Sequence, residues 1–349
     1  MSRGESEFDL IRLLTTHQRA SRSDVFLGVG DDAAVVEESD RYLLFTCDAQ
    51  VERVHFLSDF SAKMLGKRLA AVNLSDIAAM GGLPMWALCS LFPGETTSEA
   101  DLAKMYDGLY ETFDRYGVQL IGGNIARSNN GLIADLFLVG EVPKKEVLLR
   151  SGAEPGDAVC VTGTLGDSAA GLSLLLSRSP QERDTQRVLV ERHLLPSPRI
   201  GEGRVLASSR KVHACMDVSD GLLQDAGHLA KASGVQITID DTALPVSDAH
   251  RYEATVSGTD AVLSALTGGE DYELLFTLST SDVEEISNRI FGEFGTRVTV
   301  VGRVEKNTQT VGVSVSGTQY ANLTHAGFDH LQSSDSNANG GGTGTKAGD

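Results

Sequence analysis

Three observations predict a mixed α/β (α+β) fold in two domains. Strand-like and helical stretches alternate along most of the chain. Its 349 residues exceed what one core of about 150 residues would use. Between Lys144 and Pro155, charged and turn residues replace the apolar runs, which divides residues 1–146 from 147–332. From Ser333 the chain is Ser, Asn, Gly, Thr and Asp and is expected to be a disordered tail. Its Gly340–Lys346 run lacks the Gly-Lys-Ser/Thr order and the flanking strand of a phosphate loop.

Composition narrows the function. A net charge of −18 argues against nucleic-acid binding, which needs clustered Lys and Arg, but leaves metal-bridged phosphate open. No apolar run approaches the ~18 residues of a membrane span, and no signal-peptide core follows Met1-Ser2-Arg3, so a cytoplasmic protein without membrane contact is expected. Cys47, Cys89, Cys160 and Cys215 stand far apart and read as free thiols rather than zinc ligands.

In chain order, a short helix is expected within residues 1–20, with Phe8, Ile11, Leu13 and Leu14 as its apolar side. Gly28-Val-Gly-Asp-Asp-Ala-Ala34 follows, where Asp31 and Asp32 adjoin in a glycine loop. Two carboxylates at ~4 Å repel by about 1 kcal/mol in water and more near protein, so the pair calls for solvent, a proton or a cation. Ala33–Val36 and Tyr42–Thr46 read as a hairpin about the turn at residues 37–40. The hairpin argues against a dinucleotide fingerprint at Gly28-x-Gly30-x-x-Ala33, although Asp48 sits near the ribose-acid position, because that motif must open a helix.

Residues 61–80 read as a helix stopped by Gly81-Gly82, with Asp76 in the stripe of Leu65, Leu69 and Val72. A carboxylate on a buried face near a helix C-terminus is disfavoured twice and needs a partner. Ser98-x-x-Asp101 opens a helix that Gly117 closes. Strands are expected at Val118–Ile121 and Ile133–Val142, with Gly122-Gly123-Asn124 as a sharp turn.

The second half begins with strand Ala158–Thr162 and the glycine turn of residues 163–171. The N–H groups of that turn could take a phosphate oxygen, or Asp167-Ser168 could cap the helix. After a polar helical segment over 180–193, strand Val212–Met216 delivers Asp217-Val-Ser-Asp-Gly221 to a helix start. Gly268-Gly-Glu-Asp-Tyr272 precedes strand Glu273–Phe276, and helix Val283–Phe291 and strand Val298–Val304 complete the pattern. Asp31, Asp32, Asp48, Asp76, Asp217 and Asp220 thus lie at strand ends, in turns or on a buried helix face. Carboxylates so placed suit Mg²⁺, which bridges protein acids to phosphate oxygens and neutralises charge in phosphoryl transfer.

These motifs, with Val54-His55-Phe56, Asn73-Leu-Ser-Asp-Ile-Ala-Ala-Met-Gly81, Leu120-Ile-Gly-Gly123, Arg150-Ser-Gly-Ala, Pro155-Gly-Asp157 and Thr162–Leu172, resemble the thiamine-monophosphate kinase family in kind and order over residues 4–330. The resemblance implies the two-domain aminoimidazole ribonucleotide synthetase-like fold, with N-terminal strands forming a barrel in a homodimer. It implies ATP-dependent phosphorylation of thiamine phosphate to thiamine diphosphate, by in-line transfer with several Mg²⁺ ions. By the same resemblance, Asp32, Thr46, Asp48, Asp76, Asn124, Asp217 and Asp220 would hold metals, and Asp31, Asp32 and Asp220 would support transfer. Tyr106, Gly123, Asn124, Arg150 and Ser219 would line ATP, and His55, Glu270 and Phe328 the thiamine phosphate.

Asn124 departs from the Asp of many members, and its amide oxygen brings no charge. No general base is assigned, because the attacking phosphate oxygen is already anionic. Two alternatives stand beside this reading: another ATP-using enzyme of the superfamily, and a non-catalytic nucleotide-binding maturation partner.

Overall fold

The computed structural model describes residues 7–16, 22–58, 60–177, 186–306, 310–317 and 319–323. The expected substrate residue Phe328 and the expected tail of residues 333–349 lie outside the described residues. The first half contains α1 (Glu7–Thr15), β1 (Val25–Leu27), β2 (Ala34–Glu38), β3 (Arg41–Val51), α2 (Ala62–Ala79), β4 (Leu83–Phe92), α3 (Glu99–Tyr116), β5 (Gln119–Ile125) and β6 (Ile133–Pro143). They build a six-stranded sheet in the order β1-β2-β3-β6-β4-β5. All its pairs are antiparallel except β4 with β5.

The second half contains β7 (Ala158–Thr162), α4 (Asp167–Ser177), α5 (Arg187–Leu194), α6 (Ile200–Ser209), β8 (Val212–Asp217), α7 (Leu222–Ser233), β9 (Gln236–Asp240), α8 (Asp248–Ser257), α9 (Ala261–Thr267), β10 (Leu274–Leu278), α10 (Val283–Phe294), β11 (Val298–Val304) and β12 (Gly312–Ser316). Its sheet runs β12-β9-β11-β7-β10-β8, antiparallel apart from β12 with β9.

Local signals explain much of this. The hairpin is β2 and β3, paired from Ala34 opposite Phe45 to Glu38 opposite Arg41. Ser98 caps α3 by accepting the Asp101 N–H, and Gly117 ends it in the left-handed conformation. Gly30 adopts φ +131°, which a side chain would oppose, so the Asp31-Asp32 loop requires it.

Two expectations change. Leu13 and Leu14 of α1 are exposed rather than packed. Gly122-Gly123-Asn124 is not a turn but the body of edge strand β5, which runs on to Ile125. A Cβ at Gly123 would meet the Cys89 carbonyl oxygen at 1.9 Å. Close backbone approach, not chain reversal, is therefore why glycine stands there.

α2 organises the interior. Leu69, Leu74 and Ile77 have no exposure, and each such burial is worth about 1.5–3 kcal/mol. The apolar cluster around them takes in Val205, Leu206, Cys215 and Phe276 from the second half, so α2 sits between the two sheets. No helix among the described residues is long and apolar enough to cross a membrane.

Candidate active site

A cavity of about 410 Å³ opens where β3 and α2 of the first half face the ends of β8 and the 268–272 loop of the second. Asp32, Thr46, Asp48, Asp76, Asp217 and Asp220 all line it, as the sequence reading requires of a metal site. Asp32, Asp76 and Asp217 converge most tightly, with one carboxylate oxygen of each within 4.8 Å of the others.

Each is held by a neighbour. Thr46 Oγ1 donates to Asp76 Oδ2 at 2.5 Å, and Ser75 Oγ donates to Asp217 Oδ2 at 2.5 Å. The buried Asn73 side chain receives the Asp48 N–H at 2.9 Å and returns a bond to the Asp48 carbonyl at 3.2 Å. A single turn of α2, residues 73–76, thus fixes β3 on one side and β8 on the other.

Burial, followed by the charges of Asp48, Asp217 and Asp32, pushes the Asp76 carboxyl well above its ordinary range. Asp217 is raised to about 7, by burial first and then by Asp32, against the Ser75 hydrogen bond and Arg150. Asp31 is likewise raised to about 7 by burial and Asp32. Arg150 answers part of this charge, with Nη2 and Nε at 2.5 and 3.2 Å from Asp32 Oδ1 and its backbone N–H on Asp31. Burial alone would lower the Arg150 pKa, but Asp32, Asp31 and Asp217 outweigh it and hold the guanidinium charged.

One guanidinium against this group leaves a negative excess, and Asp32 Oδ2 is buried without a hydrogen-bond partner. The donor set is all oxygen and negatively charged, which fits a hard divalent cation such as Mg²⁺.

The loop carrying Ser219 and Asp220 is set from behind by Asp225 on α7. Its Oδ2 accepts the N–H groups of Ser219, Asp220 and Gly221, each at 3.1 Å. The 268–272 loop lies alongside, with Glu270 N–H on the Ser219 carbonyl at 2.7 Å and Tyr272 N–H on the Val218 carbonyl at 2.9 Å. Glu270 and Tyr272 adopt φ of +66° and +52°, a conformation costly for residues with side chains. Successive side chains of this stretch then serve different elements. Glu270 meets Arg68 of α2, and Asp271 accepts the Gly166 and Ser168 N–H groups at the start of α4. Glu273 accepts from Thr162 and Arg199. Asp271 therefore occupies the helix start that the sequence offered to a phosphate.

His55 and Glu270 line the same cavity, with Gln50 and His193. The Val51 N–H donates to His55 Nδ1 at 3.0 Å, which places the proton of the neutral ring on Nε2. Burial would raise the Glu270 carboxyl, but Arg68 foremost, with His193 and His55, brings it below its ordinary value.

The other expected residues divide between this cavity and the β4–β5 edge. Ser219 and Arg150 line the cavity, and Asp31 reaches it through Arg150. Gly123 and Asn124 are exposed on edge strand β5, and Tyr106 packs from α3 toward Cys89 of β4. Sequence reasoning missed Arg68, Gln50, His193 and Asp225. The three acceptor bonds of Asp225 lie close to a capping pattern that Asp at the fourth position of α7 could have suggested.

A fold of two such sheets joined over an acidic cleft defines the class. Residues 30–142 match the family described as AIR synthase related protein, N-terminal domain, and residues 154–314 match its C-terminal domain. Within that class the chain belongs to the thiamine-monophosphate kinase family. It is 38% identical to the thiamine-monophosphate kinase of Salmonella typhimurium over 93% of this chain and 98% of the relative. It is 39% identical to that of Escherichia coli over the same shares. The solved structure described as AaThiL complexed with AMPPCP and TMP superposes with a TM-score of 0.81 at 37% identity, covering 93% of this chain and 97% of that one.

Proposed function

We propose that the chain is an ATP-dependent kinase that converts thiamine phosphate to thiamine diphosphate. The convergence of Asp32, Asp76 and Asp217 in the cavity that also holds Arg150, His55 and Glu270 carries this reading. The relatives' name and the ATP analogue and TMP in the AaThiL complex support it.

A terminal phosphate oxygen of thiamine phosphate attacks the γ-phosphorus of ATP, and the bond to the β–γ bridging oxygen breaks to release ADP. The attacking oxygen is already anionic, so the chain's task is placement and charge neutralisation rather than proton removal. Asp32, Thr46, Asp48, Asp76, Asp217 and Asp220 would hold Mg²⁺, which when bound neutralises charge developing on the transferred phosphoryl group. Arg150 and Ser219 face the nucleotide, with Asp31 fixing the Arg150 backbone. The His55 Nε2 proton suits a phosphate oxygen of the acceptor, and the Glu270 carboxylate suits its cationic ring.

Gly123, Asn124 and Tyr106 remain part of the proposed nucleotide site at the β5 edge, and Phe328 part of the proposed substrate site. The reading also includes the division at residues 146 and 147, a cytoplasmic location and a homodimer. Leu83, Trp86 and Leu88 of β4 and Ile121 and Ile125 of β5 are exposed, which supports a second copy packing on this sheet to close a barrel. Trp86→Glu should convert a dimer to monomers in sedimentation, and a wild-type monomer would refute the dimer. The reaction itself is tested by coupled ADP release. Turnover should require thiamine phosphate and Mg²⁺ together, and ADP release indifferent to thiamine phosphate would point to another substrate.

A further inference from the structure

We propose that Arg68, which lines no part of the cavity, is the positioning residue that fixes Glu270 as the anionic recognition group for the cationic ring of the acceptor. The inference rests on the kinase reading above.

Arg68 projects from α2 and is 1% exposed, among the largest fully buried side chains of the molecule. Its fork joins three separate elements. Nε donates to Gln50 Oε1 of β3 at 3.1 Å, Nη1 to the His193 carbonyl near the end of α5, and Nη2 to Glu270 Oε1. The cavity-facing side chains of Gln50 and Glu270, and the backbone at His193, are therefore set from behind by one planar group.

The charges show what this arrangement does. A guanidinium buried this deeply needs an anion, and Glu270 supplies it. His193 Nδ1 lies 3.4 Å from Glu270 Oε2, but burial and Arg68 push that imidazole down to about 4, so it is neutral near pH 7. Arg68 is thus the charge that keeps Glu270 ionised. With Oε1 committed to Arg68 and the side chain 27% exposed, the pair forms a dipole whose negative end belongs to the cavity. A quaternary heteroaromatic ring such as thiazolium matches it.

The backbone points the same way. Glu270 is left-handed at φ +66°, held there by its N–H bond to Ser219 and by the Arg68 pair. Without Arg68, the carboxyl would take up a proton or turn away, and either change removes the anion.

Steady-state kinetics of Arg68→Met, Arg68→Lys, Glu270→Gln and the double variant Arg68→Met/Glu270→Gln test this. Arg68→Met should raise KM for thiamine phosphate about 10-fold or more, with KM for ATP changing less than about 2-fold. Arg68→Lys should fall between wild type and Met, because a lysine keeps the charge but cannot bridge three partners. In the Glu270→Gln background, Arg68→Met should add less than about 2-fold, since the group it acts through has gone.

Equal rises in both KM values, or additive effects in the double variant, overturn the proposal. If Arg68→Met does not fold, the pair-neutral double variant and Arg68→Lys decide. An unchanged acceptor KM in Arg68→Lys, with a double variant markedly weaker than Glu270→Gln, overturns it as well. A wild-type chain that phosphorylates no thiamine phosphate refutes the kinase reading instead, before any variant is compared.

Discussion

Around Asp32, Asp76 and Asp217 the carboxylates outnumber their one guanidinium, Arg150, whereas the neighbours of Glu270 are Arg68, His193 and His55. Both groups line one cavity and both are pinned by side chains of α2, Ser75 in one case and Arg68 in the other. Their acidities move in opposite directions, up for Asp76 and Asp217 and down for Glu270. On the proposed reading, a cluster left short of positive charge would receive the divalent cation that accompanies the nucleotide. On the same reading, a carboxylate matched one to one by a buried guanidinium would stay ionised without a metal and meet the organic cation of the acceptor. Burial alone would treat all of them alike, so the partner chosen by α2 separates the two roles.

The largest effect should come from breaking the acidic cluster. Asp76→Asn removes a charge but little volume, and should lower kcat by on the order of 10²–10³-fold, comparable to losing a main transition-state contact. Isothermal titration should show weakened Mg²⁺-dependent nucleotide binding in the same variant, and near-normal activity would end the metal reading.

A second test sets the two regions against each other by pH. Asp31 and Asp217 have folded values near 7 against an ordinary 3.8, so their contribution to stability is fully present below about pH 4 and is lost as pH rises through 7. Glu270, lowered from 4.5, behaves oppositely and contributes above its ordinary value, losing that only as pH falls. In a chelator, thermal unfolding should therefore show a loss on the order of 2 kcal/mol between pH 6 and 8, largely restored by Mg²⁺. A pH dependence that ignores Mg²⁺ would mean that the cluster binds none.

The smallest effect sharpens the comparison. Ser75→Ala removes only the bond that orients Asp217 and should cost about 10-fold in activity, recoverable in part by raising Mg²⁺. It should leave the acceptor KM alone, and a raised acceptor KM would show the regions to be coupled.

Much of the acidic region was legible from the residues. Two acids after glycines, an Asp in the apolar stripe of a helix, and Asp217-x-x-Asp220 at a strand end each pose a charge problem that a metal solves. Their convergence was not legible from the residues alone, because it depends on β3, α2 and β8 meeting in space; only the family resemblance implied it. The Glu270 region was harder still. Lys67-Arg68 looks like an ordinary solvated pair on a helix, and only packing on both sides of α2 makes Arg68 one of the most buried side chains.

Gly122-Gly123-Asn124 misled because its composition signals a turn, while parallel pairing with β4 makes it strand. The segment from Val235 to Thr267 holds β9, α8 and α9, elements too short for periodicity to separate.

Between residues 268 and 273, neighbouring side chains answer to α2, to the start of α4, and to Arg199 and Thr162. Deleting or inserting one residue there would hand each side chain the task of the next. An insertion would turn the carboxylate meant for Arg68 toward backbone amides, and a deletion would turn the helix cap toward a guanidinium. The length of this loop is therefore under tighter constraint than any single residue in it, and substitutions should be tolerated there far better than changes of register.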